Sequence, residues 1–144
     1  MLRRLWEWVA PGGRLVVQEY DLLTGQVVPE LEVVEEFRRV ALGTYHGSGR
    51  PIRLGVHLPA LHAQAGVGAP DGMDAAVRVD LLPALAPMYE AVYRSVLPAA
   101  LSLGLTTEDE SARWFEAFAR EAGGADGHAA LWPPLIGTWK RKDG

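Results

Sequence analysis

Residues 5–22 constrain the fold more than any other stretch, reading Leu-Trp-Glu-Trp-Val-Ala-Pro-Gly-Gly-Arg-Leu-Val-Val-Gln-Glu-Tyr-Asp-Leu. Trp6, Val9 and Ala10 sit at helical offsets, and Pro11-Gly12-Gly13 ends that helix. Leu15, Val16 and Val17 then form a short apolar run that reads as a strand. The strand turns polar at its carboxyl end through Gln18, Glu19, Tyr20 and Asp21. In open α/β sheets ligands bind beyond the carboxyl ends of strands, so this cluster is where a ligand is expected.

The rest of the chain alternates in the same manner. Thr24-Gly25 reads as a turn, and from Pro29 onward Val33, Val34, Phe37, Val40 and Ala41 share one helical face. Residues 43–53 read as a loop. Its Gly47-Ser48-Gly49 is a poor phosphate cradle, because Arg50-Pro51 follows where a helix N-terminus is needed. Leu54, Leu58, Leu61 and Ala65 mark a helix over residues 55–65, with Pro59 tolerated in its first turn. Residues 74–81 alternate, with Ala75, Val77, Val79 and Leu81 on one side, and predict a half-exposed strand. A helical stretch follows on Leu85, Tyr89, Val92 and Val96, to be kinked or ended by Pro98. Thr107-Glu108-Asp109-Glu110 is a capping-box start for a helix carrying Trp114, Phe115, Phe118, Ala119 and Ala122. Residues 131–140 close the chain as a strand. Pro133 and Pro134 cannot donate to a ladder, so pairing is expected from about Leu135.

Composition narrows the classes. A chain of 144 residues, 49% hydrophobic and 22% charged, is ordinary for a single globular domain with its own core. A net charge of −4 argues against a nucleic-acid surface, which needs clustered Lys and Arg. The absence of cysteine removes disulfides, thiolate nucleophiles and Cys-ligated metals, and a cytoplasmic location is expected. No apolar run approaches the roughly 20 residues that cross a bilayer, so no membrane partner is expected.

The helix, Pro-Gly-Gly turn and apolar strand, in that order, resemble the late signature of class I S-adenosylmethionine (SAM) dependent methyltransferases, where they lead into the fifth sheet strand. Gly55, Leu58-Pro59 and Ala65-Gly66 also look like that family's helix between the fifth and sixth strands. The resemblance implies an α/β fold, the C-terminal part of a Rossmann-like methyltransferase. It implies a three-stranded mixed sheet around Leu15, Val77 and Ile136, with packing helices. A helical insertion over residues 82–124 lies before the last strand, which returns antiparallel between the fifth and sixth. The family's cofactor half, with its Gly-rich loop, would precede Met1. S-adenosylmethionine is then bound only when that half is supplied, and the chain alone is inactive.

On this reading the chain is a substrate half that transfers a methyl group to a small-molecule acceptor once completed. Glu19 and Asp21 are the catalytic candidates, since either carboxylate can take an acceptor proton or fix its hydroxyl or amine. Tyr20, His57, Tyr89, Tyr93 and Trp114 are the substrate-binding candidates, the last three as a lid. No residue is assigned to cofactor or metal. His57 and His62 stand five apart, which does not bring both rings to one side of a helix. The apolar edge at Leu15, Val16 and Val17 predicts a companion chain or self-association through the first strand. The alternatives are a non-catalytic ligand-binding or interaction domain, and a truncated, inactive methyltransferase.

Overall fold

The computed structural model describes residues 1–144. In chain order its elements are α1 (Leu2–Trp8), β1 (Arg14–Tyr20), β2 (Gln26–Val28), α2 (Glu32–Gly47), α3 (Leu54–Gln64), β3 (Gly72–Leu81), α4 (Leu82–Ser102), α5 (Glu108–Gly123) and β4 (Ala129–Arg141). The fold is α/β. Two compact units share the chain: a sheet unit of residues 1–22, 53–77 and 133–144, and a helical unit of residues 23–52 and 78–132. No helix is long and apolar enough to cross a membrane.

β4 is the strand to which every other strand pairs. It runs antiparallel to β1 from Arg14↔Arg141 to Tyr20↔Leu135, and antiparallel to β2 from Gln26↔Leu131 to Val28↔Ala129. The Asp71 amide donates to the Trp139 carbonyl and the Leu82 amide to that of His128, each at 2.8 Å, so β3 also runs against β4. At Trp139, which is paired with Val16 and also accepts from the Asp71 amide, β1 and β3 lie on opposite edges of β4.

Two expectations change here. The sheet has four strands rather than three, because Gln26-Val27-Val28, too short to read as a strand, pairs with the start of β4. Nor is it mixed: β1 and β3 point the same way, but β4 lies between them and every neighbouring pair is antiparallel. Pairing on β4 also begins at Ala129 rather than Leu135. The prolines fall at residues 133 and 134, between the lengths paired with β2 and with β1, so neither of those ladders needs their N–H.

In the sheet unit the bend at Gly12, whose φ of +75° suits glycine, is pinned to the chain's other end. The Gly12 amide donates to Lys142 O at 2.9 Å, and the Lys142 amide donates to Gly13 O at 2.8 Å. The Lys142 ammonium caps the end of α1, donating to Trp6 O at 3.0 Å and Val9 O at 2.8 Å. α3 packs on β1 and covers the face built from Leu15, Ile136 and Thr138, where Leu58 and His62 are also buried. The opposite face, with Val16, Tyr20 and Trp139, is open.

The helical unit is organised differently. α2, α4 and α5 pack together over Val34, Phe37, Val40, Leu82, Leu85, Tyr93, Trp114 and Phe118. Trp114 stacks between Tyr93 (4.1 Å between centroids) and Phe118 (4.7 Å), and its indole N–H donates to Val33 O at 2.8 Å. Such ring pairs add about 0.5–1.5 kcal/mol each beyond the area they bury. The capping box at α5 forms as expected, with Thr107 Oγ1 accepting from the Glu110 amide at 3.2 Å and Glu110 Oε2 accepting from the Thr107 amide at 2.9 Å. Pro98 does not end α4, which continues to Ser102.

Candidate functional site

The polar end of β1 is organised by strand alternation and by the start of α3. Glu19 and Asp21 follow Leu15 and Val17 on the face that α3 covers, while Tyr20 points to the open face. Gly55, in the first turn of α3, brings the helix against the strand. A Cβ there would stand 2.6 Å from the Glu19 carbonyl and 2.8 Å from Ile136 Cγ1, so only glycine allows this approach.

Asp21 is 3% exposed. Its amide donates to Pro134 O at 3.0 Å, and its carboxylate takes Arg53 Nε at 3.3 Å. The arginine precedes α3 and is half in solvent, so the pair anchors the helix start to the strand end. Loss of Arg53 would strip a buried carboxylate of this cation, which is why such a pair is costly to break from one side. Glu19 is half-buried, and its Oε1 accepts the Tyr20 amide at 3.1 Å. His57 is exposed on α3, two residues beyond Gly55. The structure thus gathers Glu19, Asp21, Arg53 and Gly55 around one strand end.

Beneath α3 lies a polar pair that sequence reasoning missed. His62 and Thr138 are both fully buried, with His62 Nε2 3.2 Å from Thr138 Oγ1. His62 Nδ1 meets no donor or acceptor of the protein. Burial lowers the imidazole's pKa below its ordinary 6.5, and the positive charge of Lys140 adds to the shift. Both effects favour the neutral ring.

The three remaining candidates fall in the helical unit. Tyr89, Tyr93 and Trp114 are members of its aromatic core. Burial pushes the Tyr89 phenol up to about 12 and raises that of Tyr93 as well, which removes both from acid–base work near neutrality. Trp114 borders a cleft of about 300 Å³ with Glu36, Glu110, Arg113 and Ala117. Its ring is otherwise enclosed by Tyr93, Phe115 and Phe118. These rings serve packing first.

No group of three or more His, Asp or Glu stands together to hold a metal ion. The strand end by itself does not fit S-adenosylmethionine either. The Asp21 carboxylate is engaged inward by Arg53, and Glu19 by a main-chain amide. Comparison with known proteins finds no matching family model and no matching curated sequence.

Proposed function

We propose that the chain is the substrate-side half of a SAM-dependent methyltransferase, acting on a small molecule once a cofactor-binding half is supplied along the free edge of β1. The observation that carries the proposal is the place of β4. It runs antiparallel between β1 and β3, with the helix α3 connecting across to β3, which is the arrangement the resemblance implies.

In that role the residues of this chain bind and orient the acceptor. Glu19 is the carboxylate best placed to meet it, holding a hydroxyl or amine and taking a proton where the acceptor must lose one. Asp21 is a positioning residue, fixing α3 to the strand end through Arg53. Tyr20 and His57, both exposed, are the side chains free to contact the acceptor's body. Tyr89, Tyr93 and Trp114 are assigned to the core that supports α4 and α5.

The inward pairing of Asp21 favours one alternative, a non-catalytic ligand-binding or interaction domain on the same scaffold. A single experiment separates the two. The cofactor half of a class I methyltransferase is joined ahead of Met1, and thermal unfolding is followed with and without S-adenosylmethionine. The expected result is mutual stabilisation of the halves and a ligand-dependent rise in Tm larger than the donor half shows alone. A folded fusion whose response to the ligand equals that of the donor half would favour the interaction domain and end the methyltransferase proposal.

A further inference from the structure

α3 is held down by side-chain hydrogen bonds at its two ends. At the start, Arg53 Nε donates to Asp21 Oδ1 at 3.3 Å. At the far end His62 Nε2 stands 3.2 Å from Thr138 Oγ1, and Arg3 Nε donates to Ala65 O at 3.4 Å. Between these ends lies Pro59, inside the helix, which has no N–H to give the Gly55 carbonyl and leaves the ladder a bond short there. Beyond it, His62 is the one buried residue of the helix. The chain then turns through Gly66 (φ +73°), the Val67 amide donates to His62 O at 3.0 Å, and Val67 is buried just before Gly68 (φ +85°).

A neutral imidazole suits this seat and a cation does not. Nδ1 has no partner in the protein, so either neutral tautomer leaves one ring atom unpaired. The cation makes both nitrogens donors and leaves the Nδ1–H without an acceptor at a fully buried position. No opposite charge compensates. The charged and titratable groups on the elements around the ring are Arg3 of α1, Glu19 of β1, His57 of α3 itself, Lys140 of β4 with its partner Asp71, and Lys142. Of these, Lys140 is the one that acts on the ring, and its sign is unfavourable to a second positive charge.

We propose that residues 60–67 form an acid-released flap: when His62 takes a proton, they lift from the sheet about Pro59 and Gly68 and uncover the face that carries Leu15 and Thr138. Lifting gives both ring nitrogens to water. The first part of α3 stays seated, since Gly55 lies against the Glu19 carbonyl, Leu58 is buried and Arg53 holds Asp21. The candidate site at the end of β1 therefore keeps its arrangement while the sheet face beside it opens. Seated, the imidazole has a pKa below 6.5; lifted, it returns to about 6.5. The flap is thus most firmly closed above 6.5, and its opening rises as pH falls from there to the seated value and then levels off.

Hydrogen exchange of the full chain from about pH 7.5 down to about pH 5 tests this, with labelling times scaled for the intrinsic pH dependence of amide exchange. The expected result is that opening of residues 60–67 rises below about pH 6.5 by up to about tenfold per pH unit, one proton being taken up per opening, while residues 135–141 and 108–123 keep their protection. His62→Gln, which keeps a hydrogen-bonding side chain but does not titrate, is expected to remove the pH dependence, with circular dichroism confirming its fold. In the wild type the His62 ring resonances are expected to titrate with a midpoint below 6.5, which decides the matter where the variant does not fold. Opening of residues 60–67 that is indifferent to pH overturns the proposal, as does the same pH response in His62→Gln. So does a loss of protection that sets in together across residues 135–141, or a His62 midpoint at or above 6.5.

Discussion

The two units solve the same problem, burying enough surface to fold, in opposite ways. In the helical unit three helices enclose an aromatic stack in which the Trp114 indole N–H has its acceptor in the Val33 carbonyl. In the sheet unit one helix lies on one face of the strands, seated by a glycine rather than by a large side chain, and a His–Thr pair is sealed beneath it. The other face keeps Val16, Tyr20 and Trp139 in solvent. Closure by aromatic packing makes a unit that needs nothing further. The sheet is covered on one side, and β1 and β3 each pair with β4 alone.

If that contrast is right, the largest single effect belongs to the aromatic stack. Trp114→Ala removes the ring between Tyr93 and Phe118 and takes the indole donor from the Val33 carbonyl, for an expected loss of about 3–5 kcal/mol in urea unfolding. A loss under about 1 kcal/mol would deny the helical unit its self-sufficient core. Next comes Gly55→Val, which forces α3 away from the Glu19 carbonyl and Ile136 at an expected cost of about 1–3 kcal/mol. Gly123→Ala is its control, since a Cβ there meets nothing within 4 Å. Faster amide exchange over residues 54–64 in the first variant, and not in the second, checks the placement.

Thr138→Val should cost about 1–3 kcal/mol by removing the only partner of His62 Nε2 while keeping the shape. The smallest effect is one of pH. The folded His62 pKa lies below the 6.5 of the unfolded chain, so between those values the unfolded state binds more protons than the folded one. Its contribution is therefore full above 6.5, declines as pH falls from there to the lower folded value, and is flat below it. Urea midpoints measured against pH should show this slope in the wild type and lose that component in His62→Leu. An unchanged slope in the variant would mean that another group sets the acid limit.

What the sequence disclosed depended on range. α5 was legible from four consecutive residues, because Thr107 and Glu110 satisfy each other's orphan amides within one turn. The strands β1, β3 and β4 were legible from their alternation and apolar runs. β2 was not, since three residues beside Pro29 form a strand only when Ala129 to Leu131 arrive to pair with them. The start of β4 was misplaced for a related reason: proline's missing N–H forbids a ladder bond locally, and whether a neighbour needs that bond is a fact about the other strands.

The site divides in the same manner. Glu19, Tyr20 and Asp21 were legible as the polar end of a strand, because that is a local pattern. Arg53 could not be joined to Asp21 across 32 residues, nor Thr138 to His62 across 76. Tyr89, Tyr93 and Trp114 were assigned to a lid because helical spacing of aromatic residues reads alike for a core and for a binding face. Their stacking and burial assign them to the core.

The proposed function requires that a cofactor half add to the edge of β1, while the aromatic core of the helical unit is already formed. Hydrogen exchange of the chain, free and joined to a methyltransferase cofactor half, tests it most directly. The expected result is marked slowing in residues 14–20 on joining, with residues 108–123 unchanged because their protection is already supplied by the aromatic core. Exchange over 14–20 that is equally slow in the free chain, or that does not respond to joining, would contradict the claim.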